Sequence, residues 1–180
     1  MKRSVALVAA GTMMLGLGFV HGGGSAVARS ARAGGTCQNT QLALGFQSSQ
    51  GAVGTITSIY KLTNHSGAAC NLYGYPGVLL LTKTFTSLPT MVRRGNGNNV
   101  GSIPKSTVQL APHGSAYFAL GYSDVPVGSK PCDTPARYLM VFAPNDVLPI
   151  VGYAAPRGES VYSCTGAITV SPVTSTPRSR

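Results

Sequence analysis

From Cys37 onward, short apolar runs alternate with clusters of Gly, Pro, Asn and Ser, and no long stretch keeps a helical 3.6-residue period. The runs predict strands at Gln41–Phe46, Thr55–Thr63, Val78–Thr82, Thr90–Arg93, Thr107–Leu110, Ser115–Tyr122, Tyr138–Phe142, Val147–Val151 and Ala167–Val170. Two of them alternate cleanly. Ile56, Tyr60 and Leu62 share one face of the first, with Thr57 and Lys61 on the other. Ala116, Phe118, Leu120 and Tyr122 share one face of the second. Many short strands of this kind, separated by turn residues, predict one all-β domain over residues 37–170, a sandwich or a barrel. The large residues on the alternating faces read as core. The Pro/Ser/Thr-rich stretch 171–180 reads as a disordered tail, and no internal repeat is visible.

The beginning of the chain follows other rules. Lys2 and Arg3 precede an uncharged, mostly apolar run from Val5 to Val20, and Ala26-Val27-Ala28 supplies a small-x-small cleavage site. That order predicts a secretory signal peptide over residues 1–28, with Ala31-Arg32-Ala33 a second candidate cut. The run is short and glycine-rich for a transmembrane anchor. Thr36 stands before Cys37 where a lipoprotein site wants Gly or Ala. The expected product is secreted, wall-associated or released, with no transmembrane segment. Residues 29–36 then read as a flexible basic arm.

Export changes how charge and cysteine are read. The formal charge is +10, and removing Lys2 and Arg3 lowers it by two. Arg29, Arg32, Arg178 and Arg180 lie on the expected loose ends, so much of the basicity sits outside the folded part. Positive charge favours anionic partners, here envelope polymer or lipid; export argues against nucleic acid. Cys37, Cys70, Cys132 and Cys164 predict two disulfides in an oxidising compartment. Three pairings are open. The nearly equal spacings of Cys37–Cys70 and Cys132–Cys164 favour those two. Cys70–Cys132 is the rival with the wide separation of an immunoglobulin bridge, but the chain has no tryptophan to pack on it.

Three segments carry a resemblance: Leu62 to Cys70, the following Tyr73-Gly74-Tyr75-Pro76-Gly77-Val78, and Val108 to Ala116 with a cysteine after it. In this order they resemble a family of exported actinobacterial domains, domain of unknown function 4232. The resemblance spans most of residues 37–170, and the Gly-Tyr-Pro-Gly segment is its most specific part. It implies an immunoglobulin-like antiparallel β-sandwich and an actinobacterial source, and it supplies no activity. Many members look like lipoproteins; this chain departs from them at Thr36.

No reaction centre is legible. A nucleophile needs a base in reach and a group orienting that base. Pairing would consume all four thiols, and His65 and His113, the histidines outside the leader, fall in predicted turns. The acids number four, and Asp124 and Asp133 flank one loop. No clustered ligand set suggests zinc or calcium, and no cofactor is expected. Gly95 to Val100 lacks the last glycine of a dinucleotide fingerprint, and Pro104 spoils a phosphate loop at Lys105. The least ordinary stretch runs from Arg93 and Arg94 through Ser102: polar, glycine-rich, basic at its start and expected to be mobile. It is the candidate anion-binding loop. The leading expectation is an exported, non-enzymatic binding module of the bacterial envelope or extracellular space. A cationic adhesin for anionic lipid or wall polymer is the first alternative, and an unrecognised hydrolase the second.

Overall fold

A computed structural model describes residues 34–180 apart from Lys130 and Asp133. The expected signal peptide, both candidate cleavage sites and residues 29–33 lie outside the described residues.

Ten strands form in chain order: β1 Leu42–Ala52, β2 Thr55–Asn64, β3 Cys70–Tyr73, β4 Gly77–Leu81, β5 Met91–Arg94, β6 Thr107–Leu110, β7 Ser115–Ser123, β8 Tyr138–Phe142, β9 Pro149–Tyr153 and β10 Ala167–Val170. One sheet has the order β1-β2-β7-β10-β5. Opposite it lie the pair β3-β6 and the three-stranded sheet β4-β8-β9. All pairings are antiparallel except β10 with β5. The domain is all-β, as expected, and its layering is consistent with an immunoglobulin-like sandwich.

The alternation read from the sequence builds the core. Tyr60 and Leu62 of β2 and Ala116, Phe118, Leu120 and Tyr122 of β7 meet Leu72, Leu80, Leu110, Leu139 and Val141 of the opposing strands in one buried cluster. The Tyr60 hydroxyl crosses the layer and donates to the carbonyl of Ala154 at 2.5 Å. Burial holds the Tyr60 phenol in its neutral form, its pKa raised well above the ordinary value.

The bridges are Cys37–Cys70 and Cys132–Cys164, the favoured pairing, and the rival Cys70–Cys132 is excluded. Sequence separations of 33 and 32 close loops worth about 3–4 kcal/mol each in the chain-entropy model.

Several boundaries differ from the sequence reading, four of them with a clear local reason. Strand β3 was missed because its four residues sit between a disulfide and a glycine turn; it is defined by pairing with β6, Cys70 opposite Leu110. Strand β9 begins at Pro149, two residues late, because the Asp146 carboxylate takes the N–H groups of Val147 and Leu148 into a turn. The arm is not free at its end: the N–H of Asn71 donates to Gly35 O at 2.9 Å, and Thr36 bridges Asn71. The tail is not disordered: its far end is docked by the N–H of Gly101, which donates to Ser179 O at 2.7 Å, and its start packs against the core. Ser171 and Thr174 are buried, Val173 is 0% exposed in the core, and Thr174 and Tyr117 exchange both backbone hydrogen bonds at 2.8 and 2.9 Å. One apolar side chain at the right phase outweighs the disorder-prone composition around it.

The stretch from Gly95 to Ser102 is also packed. It lies across the outer face of the five-stranded sheet, with Asn98 Nδ2 directed to Gly121 O and to Thr169 Oγ1. A Cβ at Gly121 would sit 2.1 Å from the Asn98 carbonyl oxygen, so the approach requires glycine. This cover explains why Thr57 and Thr169 are buried on a face that points away from the core.

Candidate functional site

Arg93 and Arg94 close strand β5, so they are strand residues and not members of a loop. Successive side chains on a strand point to opposite faces. Arg93 pairs in register with Thr169 and shares the outer face; Arg94 pairs with Val170 and shares the face turned to the second layer. The two arginines therefore do not form one basic patch. Because β5 is the edge of its sheet, Arg94 reaches past the core towards the opposing strands.

There it lines a cleft of about 270 Å³ with Lys105, Tyr73, Tyr75 and Asn145. The Lys105 ammonium lies 5.8 Å from the centre of the Tyr73 ring. Gly74, between the tyrosines, has a φ of +106°, which turns the chain so that both flank the cleft. The lining supplies two cations, two phenols and an amide, and no carboxylate. Such a cavity suits a single charged group, a phosphate or a carboxylate. The Arg fork can grip two oxygens, the ammonium acts as a point charge, and the phenols donate. The structure thus joins Arg94 to the Tyr73–Tyr75 segment and leaves Arg93 outside. Sequence reading noted Lys105 only in a rejected phosphate loop, and that rejection is unaffected: Lys105 reaches this cleft without a loop of amides.

The other flagged residues are spread out. His65 and His113 are exposed turn residues, and among the described residues neither imidazole hydrogen-bonds a serine or an acid. Asn64 opens a glycosylation-like triplet, but it is 0% exposed, and its amide donates to the carbonyl of Ala68 at 2.8 Å. Asp124 lines a cleft with Glu159, Ser58 and Tyr122, while Asp133 lies outside the described residues. Burial, with a smaller contribution from Asp124, pushes the Tyr122 phenol up to about 12, so it remains a donor at neutral pH. Among the described residues no three His, Cys, Asp or Glu side chains converge as metal ligands, and no helix is long and apolar enough to cross a membrane.

Sequence reading missed a further group. Phe85, Tyr138 and Tyr153 stack in a row, with ring centres 4.4 and 5.3 Å apart. Tyr138 and Tyr153 are directly opposed on β8 and β9. Phe85 is 59% exposed and holds a φ of +61°. The available signal was the phase of Tyr138, out of step with the buried Leu139 and Val141.

No curated protein and no solved structure matches the chain. The family model described as Domain of unknown function (DUF4232) matches residues 37–174, ending on the buried Thr174 and not at the end of β10. The chain therefore belongs to the DUF4232 family, as its cysteine, Gly-Tyr-Pro-Gly and Ala-Pro-His-Gly segments suggested.

Proposed function

We propose that the mature chain is an exported, non-enzymatic binding module of the bacterial cell envelope or extracellular space, holding anionic groups of wall polymer or lipid in the Arg94–Lys105 cleft. The observation that carries this reading is the cleft lining: two cations beside two tyrosines, with no carboxylate contributed. Paired cysteines are what an oxidising compartment produces, which supports export.

The test is cosedimentation of residues 34–180 with anionic and neutral vesicles, and with a polyol-phosphate polymer against a neutral glucan. Exposed charges act over about 8 Å at 0.15 M salt and about 3 Å at 1 M. Binding is expected to be confined to the anionic materials, to fall steeply with salt, and to drop about tenfold or more in the Arg94→Ser, Lys105→Ser double variant. Equal binding to neutral and anionic materials would exclude the reading.

A further inference from the structure

A cleft of about 700 Å³ lies elsewhere, between the turn after β4 and the entry to β8. Its volume is that of a small-molecule site. On one wall the Thr82–Thr86 turn presents hydroxyls. The N–H groups of Thr84 and Thr86 both donate to Thr82 Oγ1, at 3.2 and 3.1 Å, and the Thr84 and Thr86 hydroxyls lie 3.3 Å apart. Lys83 projects from the same turn, and Ser160 adds another hydroxyl.

Arg137 stands on the other wall, and its position is built. The guanidinium passes close to Gly158, whose φ of +70° favours glycine. The guanidinium carbon lies 5.9 Å from the centre of the Tyr153 ring. None of the residues lining the cleft is a carboxylate, and the planar guanidinium fork can grip two oxygens of a ligand. Tyr138 borders the cleft; Phe85, from the Thr82–Thr86 turn, stacks on its ring.

We propose that this cleft binds an acidic sugar, a saccharide unit carrying a carboxylate or a phosphate. Hydroxyl-rich walls match a polyol. Lys83 and Arg137 take the charged substituent. A bare inorganic anion would leave most of the cleft unfilled. The assignment does not depend on the Arg94 cleft, with which it shares no residue.

The test is calorimetric titration of residues 34–180 with an oligouronate, a phosphorylated oligosaccharide, a neutral oligosaccharide of equal length, and inorganic phosphate. At least one acidic saccharide should bind at least tenfold more tightly than both the neutral one and phosphate. That binding should fall about tenfold in Lys83→Gln and in Arg137→Gln, and survive in Arg94→Ser. Arg137→Lys should recover only part of it, because it restores the charge without the fork. Lys83 is on an exposed turn, so its variant reports on the site even if Arg137→Gln melts early. Binding of the neutral saccharide or of phosphate with equal affinity, no binding of either acidic probe, or full affinity in Lys83→Gln would overturn the proposal. Loss of binding in Arg94→Ser would move the ligand to the other cleft.

Discussion

Replacing Val173 by alanine isolates the packing of a segment whose composition argues for disorder. Val173 is 0% exposed and belongs to the core cluster. Its N–H donates to Gly74 O at 2.9 Å, a bond that alanine retains. The variant therefore loses two buried carbon groups and keeps the backbone. At about 0.8 kcal/mol per group the transfer loss is about 1.6 kcal/mol, and an unrelaxed cavity raises it towards about 3. A domain of this size loses about 2–4 °C of melting temperature per kcal/mol, so the shift should be about 3–12 °C. The assay is thermal and urea unfolding of residues 34–180 with the disulfides intact, beside Val147→Ala as a control. Val147 is 85% exposed, and its truncation should cost under about 0.5 kcal/mol. If the two variants melt together, residues 171–174 are not part of the core.

Three further substitutions test other parts of the fold. Tyr60→Phe leaves the buried Ala154 carbonyl without its donor and should cost about 1–3 kcal/mol in urea unfolding; a loss under about 0.5 would mean the cross-layer bond is not formed. Val53 sits at φ +49° in the two-residue β1–β2 turn with Gly54 at +70°, a turn that favours Asn-Gly, so Val53→Asn should raise stability by about 1 kcal/mol. The N–H of Asn39, followed by those of Leu148 and Val147, holds the Asp146 carboxyl below the usual carboxylate range. A group with a lowered folded pKa stabilises above its unfolded value and loses that contribution as pH falls through the folded one. Urea midpoints measured downward from pH 5 should therefore drop more in the wild type than in Asp146→Asn, and parallel curves would remove Asp146 from the account.

Strands with one buried face were legible because alternation is local: β6 and β8 occupy the spans read for them. Features set by distant contacts were not. Polar Gln47 to Gly51 extends β1 because that half of the hairpin faces solvent and only pairing with β2 defines it. The glycine-rich stretch looked mobile because its anchors, Gly121 and Thr169, come from two other strands. Arg93 and Arg94 were legible as basic neighbours, and strand geometry separates them. Lys105, Tyr73 and Tyr75 join Arg94 only through the packing of the two layers, and Lys83 and Arg137, more than fifty residues apart, line one cleft.

The central claim, an anion held between Arg94 and Lys105, is tested most directly by nuclear magnetic resonance titration of residues 34–180 with a polyol-phosphate oligomer at low salt. Residues Tyr73, Gly74, Tyr75, Arg94, Lys105 and Asn145 should shift together along one saturating curve, and the Arg94→Ser, Lys105→Ser variant should show no saturation. Shifts scattered over all basic residues, unchanged in that variant, would contradict the claim and leave net charge as the only attraction.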